Sequence, residues 1–282
     1  MKFGVFGINT GPCAEPETSV QVAQAAEECG FESVWTGEHV VLPDPQAPPS
    51  PAPPDWPMTH PSIALAFLAG QTARLRLGTG IVILPQRNPV VLAKELGSLD
   101  ALSGGRLEFG LGVGYLEPEF RALGVPFQER GRRADEYLEA ILALWTEAAP
   151  CYRGDFVRFE GVQAQPRPIQ QPHPPVVIGG NSPSALRRAV TRGNGWYGFA
   201  MDPEAAGRHI EGLRAAEHTH ERSDALGPLE ISITPRNPLD PAAIRRFEDV
   251  GVHRLIPIAW GRDAEAQTDW VRKTADEVIA RS

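Results

Sequence analysis

The chain has 282 residues, of which 42% are hydrophobic and 22% charged, an ordinary globular balance with enough apolar side chain for a large core. A formal net charge of −8, with no run of Lys or Arg longer than two, argues against nucleic acid and anionic membrane surfaces as partners. Three cysteines (Cys13, Cys29 and Cys151) fit no zinc spacing and make a poor disulfide framework. With no leader-like segment and no stretch near the ~20 apolar residues of a membrane span, the expectation is free thiols in a cytoplasmic protein.

The first apolar run, residues 3–8, predicts a buried strand, and 17–29 a helix that Gly30 stops. Residues 33–36 predict a second strand. Residues 42–61 hold nine prolines, from Pro43 to Pro61, which forbids a regular helix or interior strand. A long loop is expected there, covering the substrate side. A helix over 63–72 follows, then a β-branched strand over 75–84 and a helix over 89–102 that opens on Pro89. The fourth strand is expected at 105–112 and a long helix at 130–147. An insertion spans about 150–174, with a hairpin around 152–159.

The second half continues the alternation. Strands are predicted at 176–179, 196–200, 229–234 and 254–259, and helices at 184–191, 203–216, 241–250 and 265–280. Eight strands, each followed by a helix, require crossovers between parallel neighbours. One (β/α)8 TIM barrel spanning 1–282, with an insertion, is therefore the expected fold. An open doubly wound sheet is the rival, weakened by the lack of a G-x-G-x-x-G between the first strand and helix.

A barrel places its chemistry at the C-terminal strand ends. Those ends carry Gly7-Ile8-Asn9, Gly37-Glu38-His39, Gly78-Thr79-Gly80-Ile81, Gly112-Val113-Gly114-Tyr115 and Gly179-Gly180-Asn181-Ser182. Glycine lets a flat ligand approach the backbone, and GGNS before a helix is a candidate phosphate cradle; turning the chain explains each glycine singly. His39 is the one histidine at a strand end, a residue type suited to proton transfer, and Glu38 adjoins it. No metal spacing and no G-x-S-x-G elbow appear. Only Lys2, Lys94 and Lys273 are lysines, and none sits at a strand end to serve an aldolase-type mechanism.

Three segments carry a resemblance: AAEECGFESVWTGEH (25–39), LRLGTGIVILPQRNPVVLAKELGSLDALSGGRLEFGLGVGY (75–115) and PPVVIGGNSPSALRRAV (174–190). With EFRALG and ERGRRADE in order between them, the sequence resembles the luciferase-like monooxygenase superfamily, and most of all its F420-dependent oxidoreductase branch. The resemblance implies coenzyme F420, or FMN as the alternative, in the barrel mouth. It also implies a non-prolyl cis peptide at Gly80-Ile81 behind the ring. By the same carry-over His39, with Glu38 beside it, lies near the reactive face, and Glu117 aligns with an acid of some F420-dependent dehydrogenases. Gly7, Thr79, Gly80, Ile81, Gly114 and Tyr115 would surround the ring or tail, and Gly179, Gly180, Asn181 and Ser182 would hold the phosphate. Arg132 and Arg133 either pair with tail carboxylates or form a solvated helix face. The resemblance further implies a small-molecule substrate, a flavin reductase as partner if FMN is used, and a homodimer through helices near the second and third units, where Ala64, Leu65, Phe67 and Leu68 lie. A non-catalytic flavin-binding barrel is the remaining alternative.

Overall fold

A computed structural model describes residues 1–279. Eight parallel strands close into a ring: β1 (Lys2–Phe6), β2 (Ser33–Thr36), β3 (Arg76–Thr79), β5 (Leu107–Gly112), β8 (Val176–Gly179), β9 (Gly195–Met201), β10 (Glu230–Pro235) and β11 (Arg254–Leu255). The last pairs with the first, Lys2 opposite Arg254 and Phe3 opposite Leu255, so no edge remains. The two-residue β4 (Val82–Ile83) continues β3 beyond a cis peptide at Gly80-Ile81 and pairs with β5. The expected single strand over 75–84 is thus broken in two at that bond.

Helices return the chain between strands: α1 (Pro16–Glu28), α2 (Pro61–Ala69), α3 (Pro89–Ser103), α5 (Arg130–Thr146), α6 (Pro183–Arg192), α7 (Pro203–Thr219), α8 (Pro241–Val250) and α9 (Ala264–Thr274). A short α4 (Glu117–Ala122), absent from the predicted elements, follows β5. The insertion holds the expected hairpin, β6 (Tyr152–Arg153) paired with β7 (Arg158–Phe159). The final strand is shorter than predicted. Pro257 has no N–H to give the ladder, and pairing resumes only as an isolated bridge between Phe6 and Ile258. Of the expected last helix, α9 ends at Thr274, a π-helical turn covers Ala275–Ile279, and Ala280 lies outside the described residues.

The barrel interior is polar at its N-terminal end and aromatic above. Arg254, 2% exposed, bonds Glu108 at 2.8 and 3.0 Å, Glu32 at 2.9 and 3.1 Å and Glu230 at 2.7 Å. Burial pushes the Glu108 carboxyl up, but Arg254 and Arg76 together outweigh it and hold it below the ordinary range. The Arg254 guanidinium lies 5.4 Å from the Trp35 ring, which stacks on Tyr197 at 5.9 Å. Val177, Ile256, Phe6 and Ile81 complete this inner cluster. Outside the ring, the apolar faces of strands and helices form the main core. Leu65 and Leu68 of α2 are part of it and Ala64 is buried as well, while Ile63 and Phe67 are 64% and 44% exposed. Among the described residues, no helix is long and apolar enough to cross a membrane.

Candidate active site at the barrel mouth

The strand order β1-β2-β3-β5-β8 sets five of the expected strand ends side by side, so the sequence-predicted residues share one half of the mouth. The β2 and β3 ends are in register, Thr36 opposite Thr79, and the Gly80 N–H donates to the Thr36 carbonyl at 2.8 Å. Thr79 is fully buried and its hydroxyl donates to the Gly110 carbonyl at 2.6 Å, so it builds the barrel wall. The half-buried Ile81 side chain fills the space that side chains on Gly112 and Gly179 would need: a Cβ there would stand 2.7 and 2.9 Å from it. Those two glycines are therefore consumed by Ile81.

Glu38 and His39 follow β2 but face different partners. Glu38, 7% exposed, accepts from the Ile83 N–H at 2.5 Å and from the Arg87 guanidinium. Burial raises its carboxyl pKa against the pull of Arg87. Arg87 also donates to His60 Nε2 at 2.6 Å, and burial together with Arg87 lowers the His60 pKa. Glu38 thus fastens the segment after Ile81.

His39 lies between two other groups. Its Nδ1 is 3.3 Å from Glu119 Oε2, and its Nε2 is 3.3 Å from the Tyr115 hydroxyl. Glu119 is 0% exposed and takes the Val40 N–H on Oε1. Tyr115 is 51% exposed and meets the His39 ring edge-on at 5.7 Å. Burial, reinforced by the Glu119 charge, pushes the phenol pKa up, so the hydroxyl keeps its proton at neutral pH. Gly114 permits this arrangement with φ +76°; a Cβ there would meet Ile83 at 2.6 Å and Phe120 at 2.8 Å.

Glu117 is exposed at the start of α4, and the buried acid of that helix is Glu119. A sequence signal existed: Leu116, Glu119 and Phe120 stand at i, i+3 and i+4, the spacing of one helical face. Arg87 and His60 carried no comparable signal, because Arg87 lies in a turn and His60 ends the Pro-rich loop. The C-terminal part of that loop is tied to the mouth. Gly11 donates to the Pro57 carbonyl at 2.9 Å, Asn9 Nδ2 to the Thr59 carbonyl at 2.5 Å, and the His39 N–H meets Met58 Sδ at 3.1 Å.

Gly7, with φ +90°, turns the chain after β1. After β8, Gly180 (φ +113°), Asn181 and Ser182 are exposed, and the Ser182 hydroxyl caps α6 by accepting from the Ala185 N–H at 3.2 Å. Arg133 bonds Glu129 at 2.7 Å and Tyr137 at 2.9 Å, and Arg132 pairs with Asp155 of the insertion, so both have protein partners.

These residues fit a planar tricycle with an anionic tail. Ile81 offers an apolar floor, the exposed turn after β8 leads into a helix N-terminus, and the buried Thr36 hydroxyl at the β2 end has no hydrogen-bond partner among the described residues. A cavity of about 430 Å³ opens at the opposite end of the barrel, lined by Arg254, Arg76, Lys2, Glu108, Glu32 and Glu230, whose cations and carboxylates pair with one another.

Residues 1–238 match the model of a family described as luciferase-like monooxygenase. The chain is 34% identical over 267 residues to an uncharacterized protein of Mycobacterium tuberculosis, covering 92% of this chain and 93% of that one. A second uncharacterized protein of that organism is 30% identical over 278 residues, covering 93% and 94%. The oxygenase component of the flavin-dependent trigonelline monooxygenase of Acinetobacter baylyi is 32% identical over 176 residues, 62% of this chain and 46% of that one. Among solved structures, monooxygenase RslO1 from Streptomyces bottropensis has a TM-score of 0.81 at 24% identity, covering 100% of this chain and 99% of that one. An F420-dependent secondary alcohol dehydrogenase in complex with an F420-acetone adduct also has a TM-score of 0.81, at 15% identity with coverage of 100% and 99%.

Proposed function

Because the chain belongs to the luciferase-like monooxygenase family, we propose that it is an F420-dependent oxidoreductase that moves a hydride between the deazaflavin and a small organic substrate. The observation that carries this reading is His39, held between the Tyr115 hydroxyl and the buried Glu119 carboxylate at the mouth. Transfer of a hydride to or from an organic centre leaves a proton to be placed or removed, and this cluster is built to handle one. When bound, F420 supplies the two-electron hydride carrier.

The protein's own residues do the rest. Ile81, packed at Gly112 and Gly179, forms the floor against which the ring rests. Glu38 and Arg87 hold the backbone behind that floor through the Ile83 N–H. Gly180, Asn181 and the first turn of α6 receive the phosphate, and Tyr115 and His39 face the reacting side. Phe199 near the end of β9 and Trp260 after β11, 48% and 59% exposed, offer apolar surface on the other half of the mouth.

A second reading, an FMN-dependent monooxygenase that uses oxygen and a separate flavin reductase, is favoured by the trigonelline monooxygenase relative and the RslO1 neighbour. Titration of the cofactor-free protein with F420 and with FMN, read by tryptophan quenching, separates the two. F420 is expected to bind at least about tenfold tighter, a difference of about 1.4 kcal/mol. Preference for FMN moves the assignment to the second reading, and binding of neither sinks both.

The cytoplasm is the proposed compartment, consistent with the free thiols Cys13, Cys29 and Cys151. A homodimer is proposed through α2 and α3, whose Ile63, Phe67 and Val91 are 64%, 44% and 54% exposed. Light scattering should give twice the 30.6 kDa chain mass, and Phe67→Glu should return it to one.

A further inference from the structure

We propose that Glu119 is a positioning residue that fixes His39 in its Nδ1–H tautomer, so that the mouth is set to take up a proton rather than to give one.

The argument is one of donors and acceptors. The Val40 backbone N–H can only donate, and it donates to Glu119 Oε1 at 2.5 Å. Glu119 Oε2 lies 3.3 Å from His39 Nδ1, in a side chain that is 0% exposed. An ionised carboxylate only accepts, so the nitrogen facing it carries the hydrogen. A neutral imidazole with Nδ1–H has a bare lone pair on Nε2. That lone pair is 3.3 Å from the Tyr115 oxygen, so the phenol donates to it. Every hydrogen in the row then points the same way: Tyr115 O–H to Nε2, and Nδ1–H to Oε2.

The polarity has a chemical consequence, which rests on the reading of this mouth as the reacting site. The Tyr115 oxygen keeps its acceptor capacity for the half-open mouth, where the residue is 51% exposed. A proton arriving on that oxygen is balanced by passage of the phenol's own proton to Nε2, which leaves neutral Tyr115 and an imidazolium against the Glu119 carboxylate. The row therefore begins as a base, suited to a substrate that loses a proton as it is oxidised. The sequence-predicted acid Glu117, exposed at the start of α4, has no part in this row.

The tautomer can be tested without cofactor or substrate. The full chain is labelled with 15N-histidine and its imidazole nitrogens are read by NMR, about two units above the usual imidazole pKa of ~6.5 so that the rings are neutral. The His39→Gln variant identifies the His39 signals among the seven histidines. In the wild type, Nδ1 should be of the protonated type and Nε2 of the unprotonated type. In Glu119→Gln the amide carbonyl must still face Val40, which puts the NH2 group against Nδ1. The tautomer should then invert to Nε2–H, with Tyr115 now accepting. Tyr115→Phe, which leaves Glu119 in place, should keep the wild-type tautomer. A wild-type protein already in the Nε2–H form, or a folded Glu119→Gln protein that keeps Nδ1–H, overturns the proposal. If Glu119→Gln does not fold, the wild-type and Tyr115→Phe spectra decide it alone. Cofactor titration can fail while the tautomer holds, and the reverse, so the two readings stand or fall separately.

Discussion

At the scale of single residues, the barrel interior is decided by where side chains are absent. A Cβ on Gly78 would stand 2.3 Å from the Trp35 ring, and one on Gly110 would stand 1.7 Å from the Thr79 carbonyl oxygen. Trp35 is held by stacking on Tyr197 and by its own Nε1–H bond to Ser33 at 2.9 Å, so it has little freedom to yield. Gly78→Ala should therefore lower stability by about 1–3 kcal/mol in urea unfolding. A smaller change would mean that the indole re-packs. Glycine at the strand ends was legible as a pattern, but its meaning was not. Gly112 and Gly179 make room for Ile81, whereas Gly180 stays open at the surface. The difference depends on which strands are neighbours, and that is not written locally.

At the scale of elements, the helices were the most legible parts because their punctuation is chemical. Among the described residues, proline stands in the first two positions of seven of the nine α-helices, and Asn88, Ser182, Asp202, Asp240 and Asp263 cap five of the nine. The Asn88 side chain accepts from both the Val90 and Val91 N–H groups, at 3.0 and 3.2 Å. Asn88→Ala should cost about 1 kcal/mol by denaturant midpoint, and Asn88→Asp should restore most of it. The strands were less legible in their ends. The run over 75–84 reads as one β-branched strand, yet the chain turns at Gly80-Ile81, and the ladder passes from a pairing of β3 with β5 to one of β4 with β5. Short α4 escaped because two turns give too little periodicity, although Leu116, Glu119 and Phe120 do mark its buried face.

At the scale of the whole molecule, one buried arginine ties distant parts of the chain together. Arg254 joins Glu32, Glu108 and Glu230, from just before β2, from β5 and from β10, beneath the aromatic layer. Glu108→Gln takes away the carboxylate that Arg254 shares with Arg76, while Arg254 keeps Glu32 and Glu230, so the fold should be destabilised by about 1–3 kcal/mol at neutral pH. The Glu108 carboxyl titrates below its ordinary 4.5 in the folded chain. Between those two values the unfolded chain binds more protons, so stability is full above about 4.5 and falls as pH drops through the lower folded value. Thermal melts from pH 6 to pH 3 should show a shallower loss in Glu108→Gln than in the wild type. Equal slopes would remove Glu108 from the account of acid unfolding.

By itself, the sequence determined the alternation of strand and helix, and with it the closed parallel barrel, because periodicity and capping are local properties of a few neighbouring residues. It also determined that His39, Tyr115 and the strand-end glycines would gather at one end, because a barrel sends every C-terminal strand end the same way. Only the tertiary structure decided what those residues do to one another. His39 and Glu119 are 80 positions apart in sequence, and Glu38 and Arg87 are 49 apart. Which carboxylate meets the imidazole and which meets the guanidinium depends on the placement of neighbouring strand ends to within a few ångströms. That placement is set by packing around Trp35 and Ile81, and no spacing along the chain encodes it.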